Sequence, residues 1–377
     1  MPRGSFDAIV EKHKANKYTK QFGYWQHAVA MIYAQLSGAS SLRELQAGFN
    51  GHAAHHYHLG ACAIKKSTLA DANSRRKDAV FIDVVQLLMQ KASRSVRQQT
   101  KEWLCLLDST PIMLKGREFD RWTDESKTHR TQGLKLHVLY DTQTEVPTWQ
   151  SITAPNVNDV SKAWDVPLQK GVTYVFDKGY CDDGWWREID LAGAQFVTRF
   201  KNNAGIGIEE ELPIAEADKG IVISDQLVRF KHRRTRGQRK SYYERTLRRI
   251  TIVREDKATP LVLATNDLTR SAKEIAQNYK ERWGIELFFK WIKQHLKIKS
   301  FYGRTENAVR IQLLTALIGY LLVALHKQTH QIKATLWECL CLLRATLFQR
   351  KELDEHRERK RRQREQKMNQ YQIGLFA

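Results

Sequence analysis

The run Trp103-Leu104-Cys105-Leu106-Leu107-Asp108-Ser109-Thr110 decides how this chain is read. Five apolar residues in a row, stopped by an acid, describe a strand buried on both faces. Downstream, Leu134-Lys135-Leu136-His137-Val138-Leu139-Tyr140 alternates apolar and polar residues, as a half-buried strand does. Residues 147–153, Tyr174-Val175-Phe176 and Phe196-Val197-Thr198-Arg199-Phe200 are further strands. Residues 159–168 and 182–191 read as helices between them. The order predicts a mixed α/β core that begins with a three-strand antiparallel meander.

Upstream of that strand the pattern is helical. Apolar residues recur at three and four spacing through FDAIVEKH and WQHAVAMIYAQL, within residues 5–48. Ser40-Ser41-Leu42-Arg43-Glu44 has the spacing of a capping box. Ser67 is a good N-cap for a helix that carries Asn73, Arg75 and Arg76. A short basic helix behind helical pairs resembles a major-groove reader, and a solvated surface helix fits the same residues. Residues 1–98 are therefore read as a helical DNA-binding domain, and 99–202 as the first part of the core.

Residues 203–268 mix glycine, strand-like pieces and a basic block, and read as a β-rich insertion. Ten Lys or Arg fall between Arg229 and Arg249, among them Arg233, Arg234, Arg236, Arg239 and Lys240, with Phe230, Tyr242 and Tyr243 interleaved. The core resumes over 269–330 with a long helix from Ser271 or Ala272 to about Lys297, then one over 307–326. Residues 331–377 hold a last helix, 334–348, and a charged tail.

Composition narrows the partners. Lys and Arg number 62 against 41 Asp and Glu, a formal net charge of +21 over 377 residues. So large an excess points to an extended polyanion, whereas a small acidic substrate needs only one basic pocket. The longest apolar run, Ile311 to Leu325, is shorter than the roughly 20 residues of a membrane span, and no membrane partner is expected. The first residues, MPRGSFDAIVEKHKANK, lack a hydrophobic signal core. Five cysteines without a CxxC pair indicate neither a zinc ribbon nor a disulfide framework. A reducing, cytoplasmic setting is the expectation. His52, His55, His56 and His58 match no standard zinc spacing and read as structural.

Two acids end core strands. Asp108 follows Leu107, and Asp177 follows Phe176 in Val175-Phe176-Asp177-Lys178-Gly179-Tyr180, where Gly179 permits a tight turn. Such a pair suggests a cation site built from hard oxygen ligands. At about 100° per residue, Tyr279, Arg282, Glu286 and Lys293 fall within a stripe of about 60° on the long helix. A Glu between Arg and Lys is often an ion-pair ladder alone. That reading leaves the Tyr and the two upstream aspartates unexplained.

Tyr279-x2-Arg282-x3-Glu286-x6-Lys293 resembles the Y-R-E-K signature of the DDE transposases of the bacterial insertion-sequence 4 family. Asp177-Lys178-Gly179-Tyr180 is similar to that family's second-aspartate motif, D-x-G-[FY], and Leu107-Asp108-Ser109-Thr110 to its first-aspartate strand. Residues 6–45, with Gln35-Leu36-Ser37-Gly38 and Ser41-Leu42-Arg43, resemble a DNA-binding N-terminal domain of one branch. The likeness spans roughly residues 5–330.

The resemblance implies a ribonuclease-H-like catalytic core interrupted by the β-rich insertion, with an all-α N-terminal domain and C-terminal helices. Asp108, Asp177 and Glu286 would be both the catalytic triad and the metal ligands. Phosphodiester cleavage needs an activated water and a stabilised leaving oxygen, which two Mg²⁺ ions can supply, with Mn²⁺ as a substitute. Tyr279, Arg282 and Lys293 would grip phosphates, and Trp283 would stack on a flipped base. In some relatives a second Trp comes from the insertion; here Tyr242, Tyr243 or Phe230 would have to replace it. The partners implied are double-stranded DNA, as element ends and target, and a second copy of the chain; helices 307–348 offer a place for that copy to dock. No nucleotide cofactor is implied. A nuclease of the same fold that stops at hydrolysis, and an end-binding protein without activity, are the rival readings.

Overall fold

The computed structural model describes residues 1–17, 19–94, 103–124, 126–129, 131–201, 204–231, 243–254 and 258–346. Six helices come first: α1 (Arg3–Lys12), α2 (Tyr24–Ser37), α3 (Leu42–Gly51), α4 (His56–Leu59), α5 (Lys66–Arg75) and α6 (Ala79–Arg94). The core follows as β1 (Trp103–Met113), α7 (Asp120–Thr123), β2 (Gly133–Asp141), β3 (Val146–Thr153), α8 (Asp159–Ala163), β4 (Val172–Phe176), α9 (Asp183–Leu191) and β5 (Gln195–Arg199). Strands β6 (Ile206–Glu211), β7 (Val222–Phe230), β8 (Leu247–Ile252) and β9 (Leu261–Thr265) come next. Helices α10 (Ala272–Lys280), α11 (Trp283–His295), α12 (Glu306–Thr329) and α13 (Leu336–Thr346) close the described chain.

All nine strands form one mixed sheet in the order β3-β2-β1-β4-β5-β9-β8-β7-β6. The meander β1-β2-β3 is antiparallel, and β1-β4-β5 are parallel. Strand β9 pairs antiparallel with β5, so the strands of the insertion extend the core sheet instead of forming a separate body.

Alternation along each strand divides two cores. Leu106, Val138, Val175 and Val197 face the helices α11 and α12. Cys105, Leu107, Tyr174, Phe176 and Phe196 face α9, where Trp185 and Trp186 fill the space. Cover on both faces is why residues 103–107 are apolar without interruption. At the end of the β1–β2 hairpin Gly133 has φ +143°, and a Cβ there would meet the Ile112 carbonyl oxygen at 2.1 Å, so only glycine fits.

The helical first quarter shares its core with the C-terminal half. Helix α12 packs on α2, α5 and α6, and most of it is buried. It is long and apolar enough to cross a membrane by length and composition, yet its apolar surface is spent inside the fold. Gln35 accepts from the Lys297 N–H (2.8 Å), Tyr302 donates to the Ala39 carbonyl (2.6 Å), and Asn307 donates to the Asn73 and Arg76 carbonyls (2.9 and 2.6 Å).

Several sequence expectations need correction. Strand β1 does not stop at Asp108 but runs on to Met113; its parallel pairing with β4 is what stops, at Leu107. The helix read over 159–168 is one short turn, α8, with Asn158 as its N-cap. Ser67 lies inside α5, whose N-cap is Lys65, and Gln46 accepts from the Lys66 N–H. Ser41 caps α3, but the Glu44 carboxylate returns to Ser40. The long helix is two helices, broken at Glu281–Arg282, where Arg282 N–H bonds three residues back to the Tyr279 carbonyl (3.2 Å).

Candidate active site

Three elements bring the three acids to one end of the parallel strands. Asp108 projects from β1 where its parallel neighbour ends, Asp177 directly follows β4, and Glu286 lies in the first turn of α11. Arg282, at the break before α11, joins two of them. Its Nη2 donates to Glu286 Oε1 at 2.6 Å, and its Nη1 lies 3.6 Å from Asp108 Oδ2. Burial opposes the Arg282 charge, but Glu286, Tyr279 and Asp108 outweigh it and raise its pKa. Arg282 and Glu286 thus form an ion pair, while Lys293 takes no part in a ladder and bonds Thr110 instead.

Asp177 has its own cation. Arg199 Nε donates to Asp177 Oδ1 at 3.1 Å, and Nη2 bonds the same oxygen. Burial works against the Asp177 charge; Arg199, the Lys178 N–H and Arg282 overcome it and hold the carboxyl below its usual range. Arg199 escaped the sequence reading because only topology places it. Val175 of β4 pairs with Val197 of β5, and two residues further along both strands Asp177 meets Arg199.

Asp108 differs. Burial pushes its pKa up to about 6, and Glu286 and Asp177 add to the rise, while the Ser109 N–H (2.8 Å) and Arg282 oppose it. The folded pKa lies above the unfolded value, so the cost of this charge is absent below about pH 4 and complete above about pH 6. Asp108→Asn is thus expected to stabilise the metal-free protein at pH 8 by about 1–3 kcal/mol and to change nothing at pH 4. Thermal melts in chelator at the two pH values check this; equal effects at both would refute it.

Lys293 donates to Thr110 Oγ1 at 2.6 Å, and burial, then Lys299, lower its pKa. With Asp108, Glu286, Lys290 and Lys299 it lines an open cleft of about 400 Å³. Tyr279 is buried beside Arg282, whose guanidinium lies 6.0 Å from its ring centroid. Trp283 is 59% exposed, so it does not pack in the core.

Other candidates fall elsewhere. Asn73 is 1% exposed and its Oδ1 meets His27 Nε2 at 2.7 Å, so its amide serves the core and not a groove. Arg76 donates to the Gly23 carbonyl (2.7 Å) and lies over the Phe22 and Tyr24 rings (4.9 Å each). Arg75 does project outward, paired with Asp71 at 2.8 Å. Tyr243 is buried and Phe230 packs on Trp186 and Phe200, so neither stands in for a stacking Trp. Arg233, Arg234, Arg236, Arg239, Lys240 and Tyr242 lie outside the described residues. Helix α12 is core, which removes it as a dimer surface and leaves α13 from that proposal.

Among the described residues no three His, Cys, Asp or Glu side chains form a ready metal cage. The donor chemistry nonetheless fits a hard divalent cation. Three carboxylates supply oxygen ligands, and Asp108 already feels the fields of the other two. Arginines balance those charges here.

Comparison with known proteins places the chain in a family. Residues 99–322 match the family model for a transposase DDE domain, and residues 1–62 match a domain of unknown function. A protein described as transposase y4zB of Sinorhizobium fredii is 41% identical over 76% of this chain and 78% of its own length. A protein described as the transposase of insertion sequence element IS5377, from Geobacillus stearothermophilus, is 27% identical over 68% of this chain and 67% of its own. The piggyBac transposase synaptic complex with hairpin DNA aligns with TM-score 0.44 and 10% identity, over 85% of this chain and 70% of that one. A DDE domain implies dependence on a divalent metal ion, which is the ion class that the three carboxylates suit. Matched over more than half its length by that domain and sharing 41% identity with a described transposase, the chain belongs to the DDE transposase family of insertion sequences.

Proposed function

We propose that this transposase moves its element by cut-and-paste, with Asp108, Asp177 and Glu286 as the catalytic carboxylates of a ribonuclease-H-like core. The observation that carries the assignment is Arg282, one cation within reach of both Asp108 and Glu286, beside the aspartate that ends β4. Mg²⁺, or Mn²⁺ in its place, would be held by these three acids and would supply activation of the attacking oxygen and charge relief at the leaving one.

The chain's own residues do the rest. Water attacks the phosphodiester at the element end and frees a 3′-hydroxyl, which then attacks target DNA in line. Arg282 and Lys293 hold phosphate oxygens by charge-assisted hydrogen bonds. Arg282 would exchange its carboxylate partners for the DNA backbone, since a cation held by Asp108 and Glu286 would offset their charge. Trp283, exposed next to Arg282, offers a stacking face for an unpaired base. Arg75 and the basic block at 233–240 extend the contact to terminal repeats. The active form is a dimer on paired ends, in a reducing cytoplasm.

The test is cleavage and joining of labelled DNA carrying the element's own ends, in Mg²⁺ and in Mn²⁺. Cleavage at the end junction followed by joining to a plasmid is expected. Cleavage without joining would make the protein a nuclease, and end binding without cleavage would make it a silent binder. Lys293→Ala is expected to weaken end binding and to reduce the salt slope by about one unit.

A further inference from the structure

A fourth carboxylate sits beside this centre without facing its arginines. Asp159, at the start of α8, accepts from Ser109 Oγ at 2.9 Å and from Lys135 Nζ at 3.1 Å, both at the same oxygen. His137 Nδ1 lies 3.6 Å from that oxygen. Lys135 also donates to the Val157 carbonyl at 2.8 Å, which fixes the ammonium in place. His137 is fully buried, and burial lowers its pKa to about 4. Its Nε2 meets Thr153 Oγ1 at 3.0 Å, and a proton on Nδ1 would point at Asp159. A surface acid that only caps a turn would not gather three side chains from two core strands.

The connections of this cluster suggest its role. Ser109 is the residue after Asp108, and its N–H donates to Asp108 Oδ1. Gly179 and Tyr180 form the turn after Asp177. Helix α8 packs against that turn, where a Cβ on Gly179 would come to 4.0 Å from Asp159 Oδ2. Tyr180 is buried, and its N–H donates to the Asp177 carbonyl at 2.9 Å. Asp159 thus holds the residue that follows Asp108, lies beside the turn that follows Asp177, and ties both to β2 through Lys135 and His137.

We propose that Asp159 is a positioning residue for the reaction: through Ser109 and the Gly179–Tyr180 turn it sets the spacing of Asp108 and Asp177 for their metal. Oxygen Oδ1 is committed to its donors, and the role assigned to Asp159 is to act through these neighbours. Groups that orient metal ligands in this way typically contribute about 10–100-fold to metal affinity or activity. The proposal rests on Asp108, Asp177 and Glu286 being the catalytic set.

The experiment uses the full chain, with Ser109→Ala and Asp159→Asn beside Glu286→Gln as control. Two quantities are measured: the Mn²⁺ concentration giving half of the metal-induced rise in melting temperature, and that giving half-maximal end cleavage. Asp159→Asn is expected to raise both midpoints about tenfold or more, and Ser109→Ala to raise them in the same direction, with end binding in chelator unchanged. Ser109→Ala removes one hydroxyl and keeps Lys135 paired, so it remains informative even where Asp159→Asn folds poorly. Wild-type midpoints in Ser109→Ala, or in folded Asp159→Asn, would overturn the positioning role. Cleavage by Glu286→Gln would instead overturn the underlying site assignment, so the two failures are distinguishable.

Discussion

Glu286→Gln is expected to lower end cleavage by about a thousandfold or more while leaving end binding in place. Glutamine has the same shape and keeps an oxygen for the 2.6 Å bond from Arg282, so the guanidinium stays where it is. What disappears is one of three negative charges. With that charge gone, Asp108 and Asp177 would have to hold the proposed cation alone, and Arg282 loses the counter-charge that opposes its burial. Binding in Ca²⁺ by gel shift and cleavage in Mg²⁺ on the same labelled ends separate the two effects. Comparable cleavage by wild type and variant would remove Glu286 from the triad.

The second large effect is on stability. Asp225 and Arg248 form a buried pair between β7 and β8, with side chains 4% and 8% exposed. Nε and Nη2 of Arg248 donate to the two carboxylate oxygens at 2.8 and 2.5 Å, and Nη1 reaches the Arg270 carbonyl. Asp225→Ala strands a guanidinium inside the sheet and is expected to cost about 3–5 kcal/mol. The pair Asp225→Leu with Arg248→Met removes both charges and should recover most of that loss. Chemical denaturation of the three proteins measures it. A loss under about 1 kcal/mol for Asp225→Ala would mean that water reaches Arg248.

The parts of this molecule legible in its sequence are those specified locally. Residues 103–107 and 174–176 announce buried strands because each must be apolar on two faces, and Asp177 stands out as the acid that ends one. The Trp283–His295 helix shows its core side through Ile285, Phe288, Phe289 and Ile292, all buried. Contacts between distant residues are not legible in this way. Asn73 looks like a surface reader until α12 covers it, and Arg199 becomes a partner of Asp177 only through the register of β4 and β5. The break at Glu281–Arg282 is hidden because both residues keep helical backbone angles. Asp159 carries no local signal, because its partners come from β1 and β2.

The seam between the first helices and α12 joins the N-terminal quarter rigidly to the catalytic half. Gln35, Ala39 and Asn73 are bonded directly to residues 297, 302 and 307, a short stretch of chain from Glu286. A recognition module on a tether could cut at variable offsets from the bases it reads. On the proposed function, module and blade would be one ruler. The offset between a repeat held by the first helices and the bond that is cut would then be a fixed protein length, set by the core packing of α2, α5, α6 and α12.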